Sequence, residues 1–235
     1  MFSYKSKPLG NQDHELRARA LEIVASLRIA IQDQGMIAPA CTTIIQEYGR
    51  DPYLVLISCL LSLRTKDTVS LPASRRLFAI ARTPAQMLAL SQESIEQLIY
   101  PVGFYRQKAK SLRDISSDLI HRFAGLVPFD EQDLLSLKGV GRKTANLVRG
   151  EGFLIPAICV DVHVHRISNR LGLVSSKTPE ETEQQLKLIL PQELWIEYNK
   201  LLVMWGQNTC VPVTPFCRSC PVRTLCEQRG VTRIR

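Results

Sequence analysis

The chain has 235 residues, 45% of them hydrophobic, enough for one large domain or two small ones and too much for a disordered polypeptide. Thirty Lys and Arg against 22 Asp and Glu give a formal charge of +8, a balance that favours a polyanionic partner, nucleic acid first. The opening residues are polar with no apolar run of signal length, and seven cysteines without such a signal indicate a reducing compartment, where clustered thiols bind metal sooner than they form disulfides.

In chain order, Leu16, Ala20, Ile23, Leu27 and Ile31 recur at helical spacing and predict an amphipathic helix over about residues 13–34. Asp51-Pro52 reads as an N-cap followed by Pro at the first helical position, as do Thr83-Pro84 and Thr178-Pro179. The most apolar run is Tyr53 to Leu63, YLVLISCLLSL. It falls short of the ~20 residues that span a bilayer, so it predicts a buried helix and no membrane partner. Gln86 and Glu181 stand three residues after their caps and complete capping-box patterns. Leu186, Ile189 and Leu190 support a helix after Thr178. No segment alternates with period two, so the predicted class is all-α, with helices of about ten residues on short loops.

An apolar helical stretch over about residues 131–137 leads into Leu137-Lys138-Gly139-Val140-Gly141-Arg142-Lys143-Thr144-Ala145, and a second helix is predicted to begin near Arg142. Gly139 and Gly141 permit a tight turn and a close approach of backbone to ligand. The first N–H groups of the second helix can then bind a phosphate, so a helix-hairpin-helix of this kind grips DNA without reading its sequence. Lys143 lies just past this turn, beside Arg142. Positive potential from the helix terminus and the guanidinium disfavours its ammonium form, which makes the amine a usable nucleophile and Schiff-base former.

Eighteen residues on, Asp161 follows an apolar segment at the predicted start of a helix. An N-cap is its structural role. A carboxylate there can also stabilise positive charge on a sugar during N-glycosidic cleavage, or take a proton from the nucleophile. His163 and His165 are two apart and do not form a metal pair on a helix. Cys210, Cys217, Cys220 and Cys226 form the pattern C-x6-C-x2-C-x5-C, whereas Cys41, Cys59 and Cys159 are scattered among apolar residues and read as core. Four thiolates this close in sequence can enclose one metal centre. Zinc and iron–sulfur both accept them; the irregular spacing is unlike a paired zinc ribbon.

LKGVGRKTANLV, then VDVHVHRISNRLG, then the four-cysteine pattern resemble endonuclease III, of the helix-hairpin-helix DNA glycosylase superfamily. The likeness runs from about residue 39 to Cys226 and takes in LISCLLSLRTKD and IYPVGFYRQKAK. It implies two lobes: a six-helix barrel over residues 45–155, and a discontinuous lobe of 1–44 and 156–235 holding a [4Fe–4S] cluster on the four cysteines. It implies double-stranded DNA with damaged bases or abasic sites as the partner, lying across the cleft between the lobes. By motif position Lys143 matches the catalytic lysine, which would attack C1′ of a flipped-out nucleoside, expel the base and cut the strand by β-elimination. Asp161 matches the catalytic aspartate. The implied lesions are oxidised pyrimidines of the thymine glycol type, and the implied state is a monomer. The implied address is the cytoplasm or nucleoid of a bacterial or archaeal cell, with a nuclear or organellar one left open.

The sequence departs from the family's pattern in four places. Arg64 stands where the family typically has the glutamine that fills the gap left by the flipped base. Phe104 matches the second wedge, usually a smaller aliphatic, and could stack on a base. Lys138 replaces the proline common before the hairpin glycine. The loop Val211 to Phe216 lacks Lys and Arg, yet from Cys210 onward five Arg stand against Glu227 alone. The expected DNA contacts are thus Arg64, Phe104, Gly139, Val140, Gly141 and Arg142. Two alternatives stay open: a monofunctional mismatch glycosylase of the same superfamily, against which Lys143 speaks, and a non-catalytic DNA-binding module with a zinc site.

Overall fold

The computed structural model describes residues 11–235, and every regular element among them is helical. The chain forms two compact units, one from Ala38–Cys159 and one from the segment ending at Ile37 together with Val160–Arg235.

The Ala38–Cys159 unit is built around a helix with no solvent face. Helix α3 (Pro52–Ser62) buries every residue from Tyr53 to Leu61. Asp51 starts it, its carboxylate accepting from the Tyr53 and Leu54 N–H groups, with Pro52 contributing a φ already suited to the first turn. Each fully buried Leu or Ile, such as Leu56, Ile57 and Leu61, contributes roughly 1.5–3 kcal/mol. Around α3 pack α2 (Ala40–Tyr48), α4 (Asp67–Phe78), α7 (Tyr105–Phe123) and α9 (Arg142–Leu147). Helices α5 (Pro84–Ala89) and α6 (Gln92–Ile99) lie on α7, and α8 (Glu131–Ser136) lies on α9. Although residues 1–44 were expected in the other lobe, α2 belongs here because Cys41 and Ile44 are part of this core.

The other unit packs α1 (Asn11–Asp33) and α10 (Val162–Leu171) against α12 (Trp195–Asn208), with α11 (Pro179–Ile189) alongside. The anticipated stripe of α1 faces inward, with Ala20, Ile23 and Leu27 at most 1% exposed. Arg28 grips Glu197 through two hydrogen bonds of 2.8 and 2.7 Å, tying α1 to α12. The three helices preceded by a cap and Pro form as the sequence indicates. The side chains three residues into α5 and α11 reach past the cap, however. Gln86 accepts from the Arg82 N–H and Glu181 from the Lys177 N–H, each one residue before its cap.

Candidate active site

Leu137, Lys138, Gly139, Val140 and Gly141 join α8 to α9. Gly139 has φ +82°, a conformation that costs an L-residue about 1 kcal/mol, and a Cβ there would meet nothing within 4 Å. Gly141 precedes α9 with φ −97° and no side-chain cap on the helix's first N–H groups. A Cβ there would also meet open space. Val140, expected among the DNA contacts, is 6% exposed and donates its N–H to Leu137 O at 3.1 Å. Its side chain and amide are engaged inside the protein, so Val140 anchors the turn. Arg142 pairs with Glu131 at 3.5 Å, and Arg149 shares that carboxylate at 3.3 Å. The field that Arg142 casts on its neighbour is weakened accordingly.

Lys143 is exposed on the first turn of α9, and the three residues after it, Thr144, Ala145 and Asn146, are buried. The backing is polar. Cys59 Sγ lies 3.7 Å from Thr144 Oγ1, and Cys159 Sγ lies 3.5 Å from Lys143 O. Asn146 Nδ2 donates to Ile158 O at 3.0 Å. Burial pushes the Cys59 thiol above its ordinary range, while the nearby positive charges of Lys143 and Lys108 work in the opposite direction. Beyond Leu147 the helix passes into a π-helical turn, Val148–Gly152. It is pinned to α3 where Gly152 rests on Pro52, a Cβ there coming within 3.2 Å of Pro52 Cα.

Arg64, Phe104 and Gly139 line one groove of about 360 Å³, together with Lys108; Lys143 does not line it. Arg64 and Phe104 are both exposed, and both sit in the left-handed region, at φ +53° and +58°. That is an uncommon place for large side chains, found where the surroundings over-determine the backbone and often at functional sites. Lys108 is one of three cations in IYPVGFYRQKAK, and no residue type or spacing there marks it out. Its Nζ donates to Leu61 O at 2.8 Å, Leu63 O at 2.6 Å and Thr65 Oγ1 at 3.2 Å. Burial lowers its pKa to about 8, against a smaller opposing pull from Cys59. Lys138 pairs with Asp114 at 3.0 Å.

In the other unit, Asp161 is the N-cap of α10. One carboxylate oxygen, Oδ1, accepts from His163 N at 2.9 Å and Val164 N at 2.8 Å. His165 Nδ1 lies 2.7 Å from Thr182 Oγ1 and His163 Nδ1 3.2 Å from an Arg166 nitrogen, both structural contacts.

Cys210, Cys217, Cys220 and Cys226 line a single pocket with Leu27, Arg170, Trp205 and Phe216. Burial is the main cause of the rise in the Cys217, Cys220 and Cys226 thiols, and mutual repulsion among the four adds to it. The Cys220 thiol is pushed up to about 11. N–H donors face two of the sulfurs: Arg170 Nη1 at 3.4 Å from Cys210 Sγ, and Gln228 N at 3.4 Å from Cys226 Sγ. Arg170 also donates to Val211 O at 2.8 Å and to Pro212 O, which holds the first loop. Four ionisable sulfurs around one pocket, with donors turned toward two of them, suit a cationic centre, whose charge relieves the repulsion. Among the described residues no group of three His, Cys, Asp or Glu side chains is close enough to hold a metal ion. Cys41, Cys59 and Cys159 are buried and do not line this pocket.

Residues 57–192 match the profile of the family described as HhH-GPD superfamily base excision DNA repair protein. Endonuclease III of Thermotoga maritima is 44% identical over 208 residues, covering 85% of this chain and 98% of that protein. Endonuclease III of Escherichia coli is 36% identical over 178 residues, covering 76% of this chain and 84% of its own. A solved non-covalent endonuclease III–DNA complex superposes with a TM-score of 0.79 at 33% identity, over 90% of this chain and 95% of that one.

Proposed function

The chain belongs to the HhH-GPD superfamily and, within it, to the endonuclease III family, and from that premise we propose how its own residues carry the chemistry. It is a base excision repair DNA glycosylase and AP lyase. The substrate is duplex DNA bearing an oxidised pyrimidine of the thymine glycol type or an abasic site, and the protein acts as a monomer. No helix among the described residues is long and apolar enough to cross a membrane.

The observation that carries the assignment is the placement of Lys143. It is an exposed amine on the first turn of a helix whose next three residues are buried and whose preceding turn presents backbone to solvent. The target nucleoside leaves the stack, because C1′ is out of reach inside a duplex. The Lys143 amine attacks C1′. The bond from C1′ to the base breaks, and the base leaves with the electron pair and takes up a proton. The sugar ring opens to a Schiff base between Nζ and C1′. Loss of a proton from C2′ then expels the 3′ phosphate, cutting the strand. Asp161 takes the proton from the attacking nitrogen and offsets the positive charge that builds on the sugar. Arg64 and Phe104 enter the gap left by the extruded nucleotide. The amides at the start of α9 hold a backbone phosphate beyond Gly139 and Gly141.

The two hairpin glycines separate folding from grip. Gly139→Ala loses about 1 kcal/mol in a urea melt through its positive φ. Gly141→Ala changes stability by less than about 0.5 kcal/mol and weakens abasic-duplex binding, since a methyl there blocks phosphate approach. Full binding by Gly141→Ala counts against a phosphate site at this turn.

Cys210, Cys217, Cys220 and Cys226 hold a [4Fe–4S] cluster. When bound, it orders the loops between its ligands and adds no step to the reaction above. The purified protein is expected to show broad visible absorbance and about four irons per chain. Cys220→Ser should lose both; a colourless protein carrying zinc contradicts the cluster.

A further inference from the structure

Two exposed residues sit in strained backbone on separate loops, and one half-buried network joins them. Arg64 follows the end of α3, and Phe104 is the N-cap of α7. The ammonium of Lys108, one turn into α7, has three donors, and each meets an acceptor on the Arg64 loop or the helix end before it: Leu61 O, Leu63 O and Thr65 Oγ1. These carbonyls end a helix, where a cation is favoured and where they lack intrahelical partners. Thr65 Oγ1 also accepts from Gly103 N at 3.2 Å, which links the Arg64 loop to the residue before Phe104. The two loops touch closely at Gly103, where a Cβ would lie 3.1 Å from Arg64 O and 3.2 Å from Thr65 Oγ1. Lys108 N in turn donates to Phe104 O at 2.9 Å, so the network closes on the Phe104 backbone.

We infer that Lys108 is a positioning residue that, through Thr65 and Gly103, holds Arg64 and Phe104 as one rigid pair poised for insertion into the helix gap. This rests on the reading of those two residues as the wedge. Pre-organisation of this kind matters because a displacement of about 1 Å in a positioned group can cost a hundredfold in rate. Without Lys108 the carbonyls at the end of α3 turn to water and the two left-handed residues relax toward ordinary backbone. Insertion then has to order both loops at the moment of binding.

The test uses the full chain and a duplex with an uncleavable tetrahydrofuran abasic site opposite 2-aminopurine, whose fluorescence rises when it is unstacked. Anisotropy reports binding separately. For Lys108→Met, which keeps the apolar stem, the anisotropy plateau is expected to be wild-type and the fluorescence rise to shrink by about threefold or more. Thr65→Val removes the shared acceptor, together with the hydroxyl's own bond to Leu63 O, leaves Lys108 in place and should shrink it by about twofold; it decides the matter if Lys108→Met does not fold. Full fluorescence from these variants, with the rise lost in Arg64→Ala and Phe104→Ala, overturns the role of Lys108 and leaves the wedge standing. Full fluorescence from Arg64→Ala and Phe104→Ala overturns the wedge itself, and the inference with it.

Discussion

Lys143→Ala is expected to abolish the covalent protein–DNA intermediate and to lower single-turnover strand cleavage by about a thousandfold or more. Abasic-duplex affinity should stay within about threefold, because phosphate contacts position the duplex and those made by backbone survive the change. The side chain is exposed and its removal opens no cavity in the Thr144–Asn146 layer beneath, so stability should change by no more than about 0.5 kcal/mol. The three readouts together separate loss of a nucleophile from loss of fold. A variant that binds, folds and still cuts at the wild-type rate removes Lys143 from the mechanism.

Asp161→Asn should slow base excision by about a hundredfold to ten-thousandfold while leaving the protein folded. The carboxylate has two duties that this substitution splits. As a cap, Oδ1 accepts from His163 and Val164. An Asn oxygen does the same, and Asn and Asp rank equally at N-caps. As a charge, it takes a proton and stabilises a cationic sugar, which a neutral amide cannot do. Asp161→Ala loses both duties and should also cost about 1 kcal/mol in a melt. Equal, wild-type excision rates for Asp161→Asn and Asp161→Ala would leave only the cap.

What the sequence makes legible here is mostly local. Asp51, Thr83 and Thr178 cap their helices because a cap needs only its own side chain and the next turn. The apolar run at Tyr53 reads as buried because Leu, Val, Ile and Cys dominate it and no charged residue interrupts it. That the four cysteines line one pocket is legible because loop closure among near neighbours is cheap in entropy. What escapes the sequence is settled by tertiary contact. Nothing in the residue types places Arg64 and Phe104 at positive φ, where local preference favours Gly and Asn. Lys108 reads as an ordinary surface cation because two of its three partners are carbonyls, which carry no sequence signature. Val140 lies between two turn glycines and looks outward by context, yet its apolar side chain enters the core. Arg142 looks like a free cation beside the nucleophile until Glu131, eleven positions earlier, folds against it.

The most direct test of the central claim is borohydride trapping on a duplex with a single thymine glycol or abasic site, followed by proteolysis and mass mapping of the adduct. A covalent adduct is expected on the peptide containing Lys143 with both substrates, and none with Lys143→Ala. No adduct from folded, cluster-loaded protein on either duplex, or an adduct on a different lysine, would contradict it.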